Sequence, residues 1–281
     1  MTSRSLADRI GSTLQKLPTT EKRAPRLVVL CYHSVHPTAT FPTRTAVPLL
    51  EEHMRWLRET CDVVPFVEVA RRGLEVAGPS RPTVAVTFDD GYADNYTHAL
   101  PILLRYEIPA TFFVSTGLID RDPDVLGARS WRGWREPGST MTWDQICEIR
   151  EVGMAIGSHG HTHTALSLLS DDEVARDLAR SKQMLEERLG EPITMFAYPG
   201  GRPRRDLVSG SVHAVRDAGY SSAAMILLRK VRDGDRPMTI PRFPIAQDPL
   251  DTFRAKVTGR LDLIGIAQER APLRLLRTFG N

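Results

Sequence analysis

TVAVTFDDGYADNY, residues 83–96, decides the fold. Six β-branched or apolar residues run together without the polar alternation of a half-exposed strand, as strands covered on both faces of a parallel sheet do. Asp89, Asp90 and Gly91 follow at the C-terminal end. In parallel β/α folds that end is the rim where functional groups gather. Taken alone, the two acids also suit a helix N-cap, with the second carboxylate favoured by the helix dipole.

Similar runs recur on both sides: LVVLC (27–31), DVVPF (62–66), ATFFVS (110–115), MAIGS (154–158), TMFAY (194–198) and SSAAMI (221–226). Helical patterns lie between them, the clearest at 172–189. There Val174, Leu178, Leu185 and Leu189 form one stripe, Ser170 and Glu173 are spaced as a capping box, and Gly190 and Pro192 close the helix. Seven β/α alternations predict a parallel barrel or an open doubly wound sheet. Residues 1–25 read as an N-terminal extension, 26–247 as one α/β domain with a long loop insertion at 120–140, and 248–281 as a helical tail.

Bulk properties narrow the function classes. The chain has 281 residues, 41% hydrophobic and 25% charged, and no run approaches the roughly 18 to 20 apolar residues that span a bilayer. A net charge of +3 gives no reason to expect a nucleic-acid partner. Three cysteines without CxxC spacing suit free thiols in a reducing compartment. The N-terminus lacks the apolar core of a secretory signal, so a cytoplasmic location is expected, with peripheral contact at the inner membrane face as an option. Leu261, Leu263, Ile264, Leu273, Leu275 and Leu276, interspersed with arginines, suit either a membrane-surface helix or packing on the barrel. Oligomeric state is not legible.

Four polar clusters fall at the ends of four expected strands: Tyr32 and His33; Asp89 and Asp90; His159, His161 and His163; Pro199, Gly200 and Gly201. Three histidines within five residues suggest a metal site. All three face one side if the strand continues, and His159 pairs with His163 if a helical turn begins. Two imidazoles and one carboxylate leave an open position on a Zn²⁺-like ion. Of the two aspartates, one could ligate and the other serve as a base, with Gly91 allowing the sharp turn.

TFDDG, GSHGHTH followed by TAL, and FAYPGG resemble, in order, motifs of the polysaccharide deacetylases of carbohydrate esterase family four, the NodB-homology family. The resemblance covers about residues 26–245. It implies a distorted (β/α)7 barrel and metal-dependent removal of acetyl groups from N-acetylated sugars in a polysaccharide or glycan precursor. It further implies Asp89 as catalytic base and Asp90, His159 and His163 as ligands of a divalent metal. Zn²⁺ is expected, with Co²⁺, Ni²⁺ or Mn²⁺ as alternatives, and His161 is left as a bystander.

Two departures stand out. Where the family's third motif often carries an arginine that orients the base, this chain has Ala197, which leaves Arg242 of IPRFPI as the candidate. None of the eight histidines lies beyond position 213, where many members draw their general acid. LCYHSV resembles the N-terminal signature of the permuted subgroup that includes poly-N-acetylglucosamine deacetylases, which implies His33 as the acid. The segment from Tyr198 through Pro199 and Gly200 to Gly201 is expected to offer a backbone N–H to the oxyanion. Trp131 and Trp134 could stack on sugar rings or anchor the insertion, and Arg202, Arg204 and Arg205 could meet an anionic group or simply face solvent. A different amide or formyl substrate on the same barrel, or a silent carbohydrate-binding scaffold, are the competing readings.

Overall fold

A computed structural model describes residues 26–38, 43–128, 139–207 and 209–262. Its strands are β1 (Leu27–Tyr32), β2 (Val35–His36), β3 (Thr45–Ala46), β4 (Asp62–Val63), β5 (Thr83–Phe88), β6 (Ala110–Val114), β7 (Ala155–Ser158), β8 (Met195–Ala197), β9 (Ser222–Ile226) and β10 (Ile240–Pro244). Seven of them close a ring in the order β1, β10, β9, β8, β7, β6, β5, with β5 pairing back onto β1. Every pairing in the ring is parallel. The chain therefore forms a closed (β/α)7 barrel.

The uniform apolar character of the runs follows from their two burials. Val28, Leu30, Val84 and Val86 pack outward with Leu50, Leu57, Leu178 and Leu185 of the surrounding helices. Leu27, Val29, Ala85, Phe113, Ala197 and Ala224 pack together in a second cluster that fills the barrel, joined by Phe66 and Val69 from the helix Phe66–Arg72. The interior is narrow: a Cβ added at Gly157 would stand 2.5 Å from the Phe113 ring. Because side chains alternate along a strand, the inward set continues from Leu27 and Val29 to Cys31, from Ala85 and Thr87 to Asp89, from Gly157 to His159, and from Ile240 to Arg242. Apolar residues thus fill the lower barrel and ionisable ones its mouth.

Two expectations need correction. DVVPF supplies only Asp62 and Val63 as strand, paired with the first two residues of β5 outside the ring. Pro65 then caps the helix Phe66–Arg72. The seventh barrel strand is instead β10, whose Pro241 and Pro244 lack N–H groups and read as strand breakers. The strand is tied in through other groups, with Leu227 N donating to Arg242 O (3.1 Å) and Ile245 N to Cys31 O (2.8 Å).

The helix expected at 172–189 spans Asp171–Leu189, with the Ser170–Glu173 capping box and Gly190 at φ 68 in the left-handed C-cap. The expected tail begins as the helix Leu250–Thr258, where Phe253 is fully buried, and Leu261 is buried beyond it. Those residues pack on the barrel. Leu263, Ile264, Leu273, Leu275 and Leu276 lie outside the described residues, as does the extension at 1–25. Among the described residues no helix is long and apolar enough to cross a membrane, and Cys31, Cys61 and Cys147 are free thiols.

The helix Val47–Thr60 buries His53 against the helix Leu250–Thr258, its ring stacked on Phe253 at 3.9 Å. His53 Nε2 lies 2.8 Å from Asp248 O and Nδ1 lies 3.1 Å from the Tyr32 hydroxyl. A neutral ring satisfies both contacts, with Nε2–H donating and Nδ1 accepting. Burial lowers its pKa from 6.5 to about 4, against the opposing pull of Asp248. The unfolded chain therefore takes up this proton first, so the stability linked to His53 is complete above about pH 6.5 and is lost as pH falls towards 4, a span of about 3 kcal/mol. His53→Gln removes the titration. In urea unfolding, the stability difference between wild type and H53Q is expected to shrink from pH 7 to pH 4, and a constant difference would contradict this account of His53.

Candidate active site

β5 and β7 end on the same side of the barrel mouth, and each delivers ionisable groups to it. Asp90 Oδ1 lies 2.9 Å from His163 Nε2 and 3.3 Å from His159 Nε2. One ligand atom from each of the three residues falls within 4.8 Å of the others. His159 continues the inward face of β7, and its Nδ1 meets Ala197 O at 2.7 Å, which assigns the proton to Nδ1 and leaves the Nε2 lone pair facing Asp90. Asp90 and His163 both adopt left-handed backbone, φ 78 and 55, a conformation that costs free energy for residues with side chains and concentrates at functional sites.

Among the described residues Asp90 Oδ1 is buried without a well-aligned hydrogen bond, although two ring nitrogens stand close by. Burial would raise its carboxyl pKa, yet the adjacent His163 and His159 hold it well below the usual carboxylate range. An ionised oxygen and two imidazole nitrogens directed at one centre fit a divalent cation with three protein ligands.

His161 points elsewhere: Nδ1 meets Thr116 Oγ1 at 2.9 Å and Nε2 faces Asp122 Oδ2 at 3.4 Å. The segment 159–163 is thus neither a continued strand nor a helical turn. Left-handed residues at Gly160 and His163 bend it, so His159 and His163 share a centre that His161 does not reach.

Asp89 sits beside this trio in a different environment. Its Oδ1 accepts from Arg242 Nη1 at 2.7 Å and its Oδ2 from Arg242 Nη2 at 2.6 Å. The Cys31 thiol donates to Oδ2 at 3.2 Å, and Arg242 Nη1 also donates to Thr87 Oγ1 at 3.0 Å. Arg242 is fully buried, its guanidinium 5.4 Å from the centre of the Phe113 ring. Burial acts to raise the Asp89 pKa, but the Arg242 charge, with help from His159, outweighs it and keeps the carboxyl below its ordinary value.

His33 follows β1 and is half-buried; one of its ring nitrogens, Cys31 Sγ and an Asp89 oxygen lie within 4.8 Å of one another. Its Nδ1 is buried without a hydrogen-bond partner among the described residues. Its backbone is held by the far end of the opening stretch: Asn95 Nδ2 donates to His33 O at 2.7 Å, and Asp94 accepts from Val35 N at 3.0 Å and from the Ser34 hydroxyl. Asp89 and Asp90 do not cap a helix. The first helical residues after them are Ala93 and Asp94.

The glycine segment after β8 closes the rim on another side. Tyr198 is buried, with its N–H committed to Ala224 O at 3.1 Å and its hydroxyl donating to Met238 O at 3.1 Å. Pro199 has no N–H, so within this segment donors for an oxyanion narrow to Gly200 and Gly201. Arg202, Arg204 and Arg205 have exposed side chains. Trp131 and Trp134 lie outside the described residues. Four residues escaped the sequence reading: Cys31, Asp94, Asn95 and Asp177. Only Asp177 carried a visible signal, as a charged residue between Val174 and Leu178 on the buried face of its helix.

The chain matches the family model for polysaccharide deacetylase over residues 77–223. YxkH of Bacillus subtilis (strain 168) is 28% identical over 202 residues, which cover 72% of this chain and 64% of that protein. The poly-beta-1,6-N-acetyl-D-glucosamine N-deacetylase of Staphylococcus aureus is 24% identical over 206 residues, 72% of this chain and 67% of that protein. The chain thus spans less than two thirds of the length of YxkH. In fold it is similar to the Streptococcus pyogenes deacetylase PplD, solved in complex with acetate, with TM-score 0.70 and 22% identity over 83% of this chain and 99% of that one.

The Arg242–Asp89 pair yields a stability prediction independent of activity. Arg242→Met leaves a buried carboxylate unpaired and is expected to cost about 3 to 5 kcal/mol in chemical denaturation. Adding Asp89→Asn to that variant should recover most of the loss, because it removes the orphaned charge. Additive losses in the double variant would show that the two residues are not energetically coupled.

Proposed function

Because the chain belongs to the polysaccharide deacetylase family, we propose that it is a hydrolase that removes the N-acetyl group of an acetamido sugar, with a divalent metal held by Asp90, His159 and His163. One observation carries the reading. Two adjacent aspartates at the end of β5 have separate partners, Asp90 facing two imidazoles and Asp89 clamped by Arg242.

Bound there, the cation, with Zn²⁺ preferred on its nitrogen and oxygen donors, would polarise the amide carbonyl and lower the pKa of the attacking water. Asp89, kept ionised and fixed in orientation by Arg242, takes the proton from that water as its oxygen attacks the acetyl carbon. The N–H of Gly200 or Gly201 supports the developing negative charge on the carbonyl oxygen. An amine departs poorly as an anion, so the leaving nitrogen needs a proton. His33, beside Asp89 and opening towards solvent, supplies it as imidazolium, and acetate and the free amino sugar leave.

A relative supports the choice of substrate class. The Staphylococcus aureus protein is named for poly-beta-1,6-N-acetyl-D-glucosamine, and a polymer or glycan precursor bearing N-acetylglucosamine is the substrate proposed here.

Acetate release from N-acetylglucosamine oligomers tests the proposal. Asp89→Asn and His33→Ala are each expected to lower kcat by about 10²- to 10⁴-fold, the usual range for losing a general base or acid. Chelation should abolish release, and Zn²⁺ or Co²⁺ should restore it. A protein that holds stoichiometric metal yet releases acetate from no acetamido sugar would point to another amide substrate. Glycan binding with no metal uptake would point to a silent scaffold.

A further inference from the structure

The segment between the two proposed histidine ligands must hold an unusual path. Gly160 and His163 are left-handed, at φ 78 and 55, and His161 faces away from the centre that its neighbours share. Such a path persists only where surrounding groups over-determine it. Thr116 N donates to Gly160 O at 3.2 Å and Gly117 N to His161 O at 3.0 Å, which fixes the carbonyls. The amide groups are fixed from the opposite side by one carboxylate. Asp177 Oδ2 accepts from His161 N at 2.9 Å, and Oδ1 accepts from Thr162 N at 2.8 Å and from Thr162 Oγ1 at 2.7 Å.

Asp177 reaches the segment from the helix Asp171–Leu189, on the face that also buries Val174, Leu178 and Ser181. Its own exposure is 6%. The approach is close: a Cβ on Gly160 would stand 2.7 Å from Asp177 Oδ2, so the glycine is required by contact with this carboxylate as well as by its φ. Three charge-assisted hydrogen bonds hold a buried carboxylate well, and losing them would leave two backbone N–H groups without acceptors.

We infer that Asp177 is a positioning residue for the metal centre, setting the separation and orientation of His159 and His163 by clamping the backbone between them. The inference rests on the proposed metal site. The three hydrogen bonds of Asp177 go to His161 and Thr162. Asp177 acts through these two residues, so its contribution is geometric: with the clamp removed, the two imidazoles are no longer held ready and must be ordered when the ion binds.

Zn²⁺ affinity, measured by competition with a chromophoric chelator and paired with the melting temperature of the metal-free protein, tests this without relying on activity. Wild type, Asp177→Ala, Asp177→Asn and Thr162→Val are compared at a temperature where all are folded. Removal of Asp177 is expected to weaken Zn²⁺ binding by about 10- to 100-fold, the usual effect of losing a group that orients metal ligands. Thr162→Val, which keeps both backbone bonds, should change it far less. If Asp177→Ala does not fold, Asp177→Asn carries the comparison, because it keeps the volume and places an amide N–H against a backbone N–H. Variants that melt lower but bind Zn²⁺ as tightly as wild type would overturn the inference and leave Asp177 a purely structural residue. A wild type that binds no Zn²⁺ would overturn the metal reading itself, a result distinct from unchanged affinity in the variant.

Discussion

The ion pair between Arg242 and Asp89 constrains everything around it. A fully buried guanidinium is costly to desolvate, and the cost is offset only when its donors are matched by acceptors in good geometry. Here two parallel hydrogen bonds to one carboxylate and a third to Thr87 match most of the Nη donors, while Nε is buried without a partner among the described residues. The pair requires β10 and β5 on the two sides of β1, each turning its residue inward, and it requires that Asp89 stay ionised. It also frees Asp90 for a separate task, because Asp89 has both oxygens occupied. Neighbouring residues of identical chemistry thereby acquire different environments.

The opening stretch serves the site along its whole length. Its strand half buries Ala85 and Val86 on the two faces of the barrel wall. The two aspartates occupy the mouth, and Asp94 and Asn95, a few residues on, tie down the segment that carries His33. The proposed base and the proposed acid are therefore positioned by one piece of chain, although they are 56 residues apart in sequence (89 − 33). On the other flank the helix Asp171–Leu189 has a comparable part in organising the histidine segment through Asp177.

The barrel was legible where burial on both faces left continuous apolar runs, as at LVVLC, TVAVTF and ATFFVS. It was misread at the two places where proline intervenes. DVVPF has the apolar character of a strand, but Pro65 turns its second half into a helix start. IPRFP has two prolines and an arginine and still closes the ring, because Arg242 is neutralised inside the barrel and the prolines spend no buried donor. Capping at Ser170, Glu173 and Gly190 is local chemistry and could be read directly. The clustering of His159, His161 and His163 was visible, whereas the exclusion of His161 was not, since it depends on the left-handed path of the segment and on Thr116 and Asp122 from elsewhere. Cys31 beside Asp89 likewise depends on pairing between strands, which spacing alone does not show.

Two groups of potential ligands stand side by side at the barrel mouth, Asp90 with His159 and His163, and Cys31 with His33 and Asp89. The central claim is that the first holds the ion and the second handles protons. Anomalous diffraction at the zinc edge from crystals grown with Zn²⁺ separates them. The account predicts a single strong peak about 2.0 to 2.2 Å from Asp90, His159 Nε2 and His163 Nε2, with Asp89 still paired to Arg242. A peak coordinated instead by Cys31, His33 and Asp89 would contradict it.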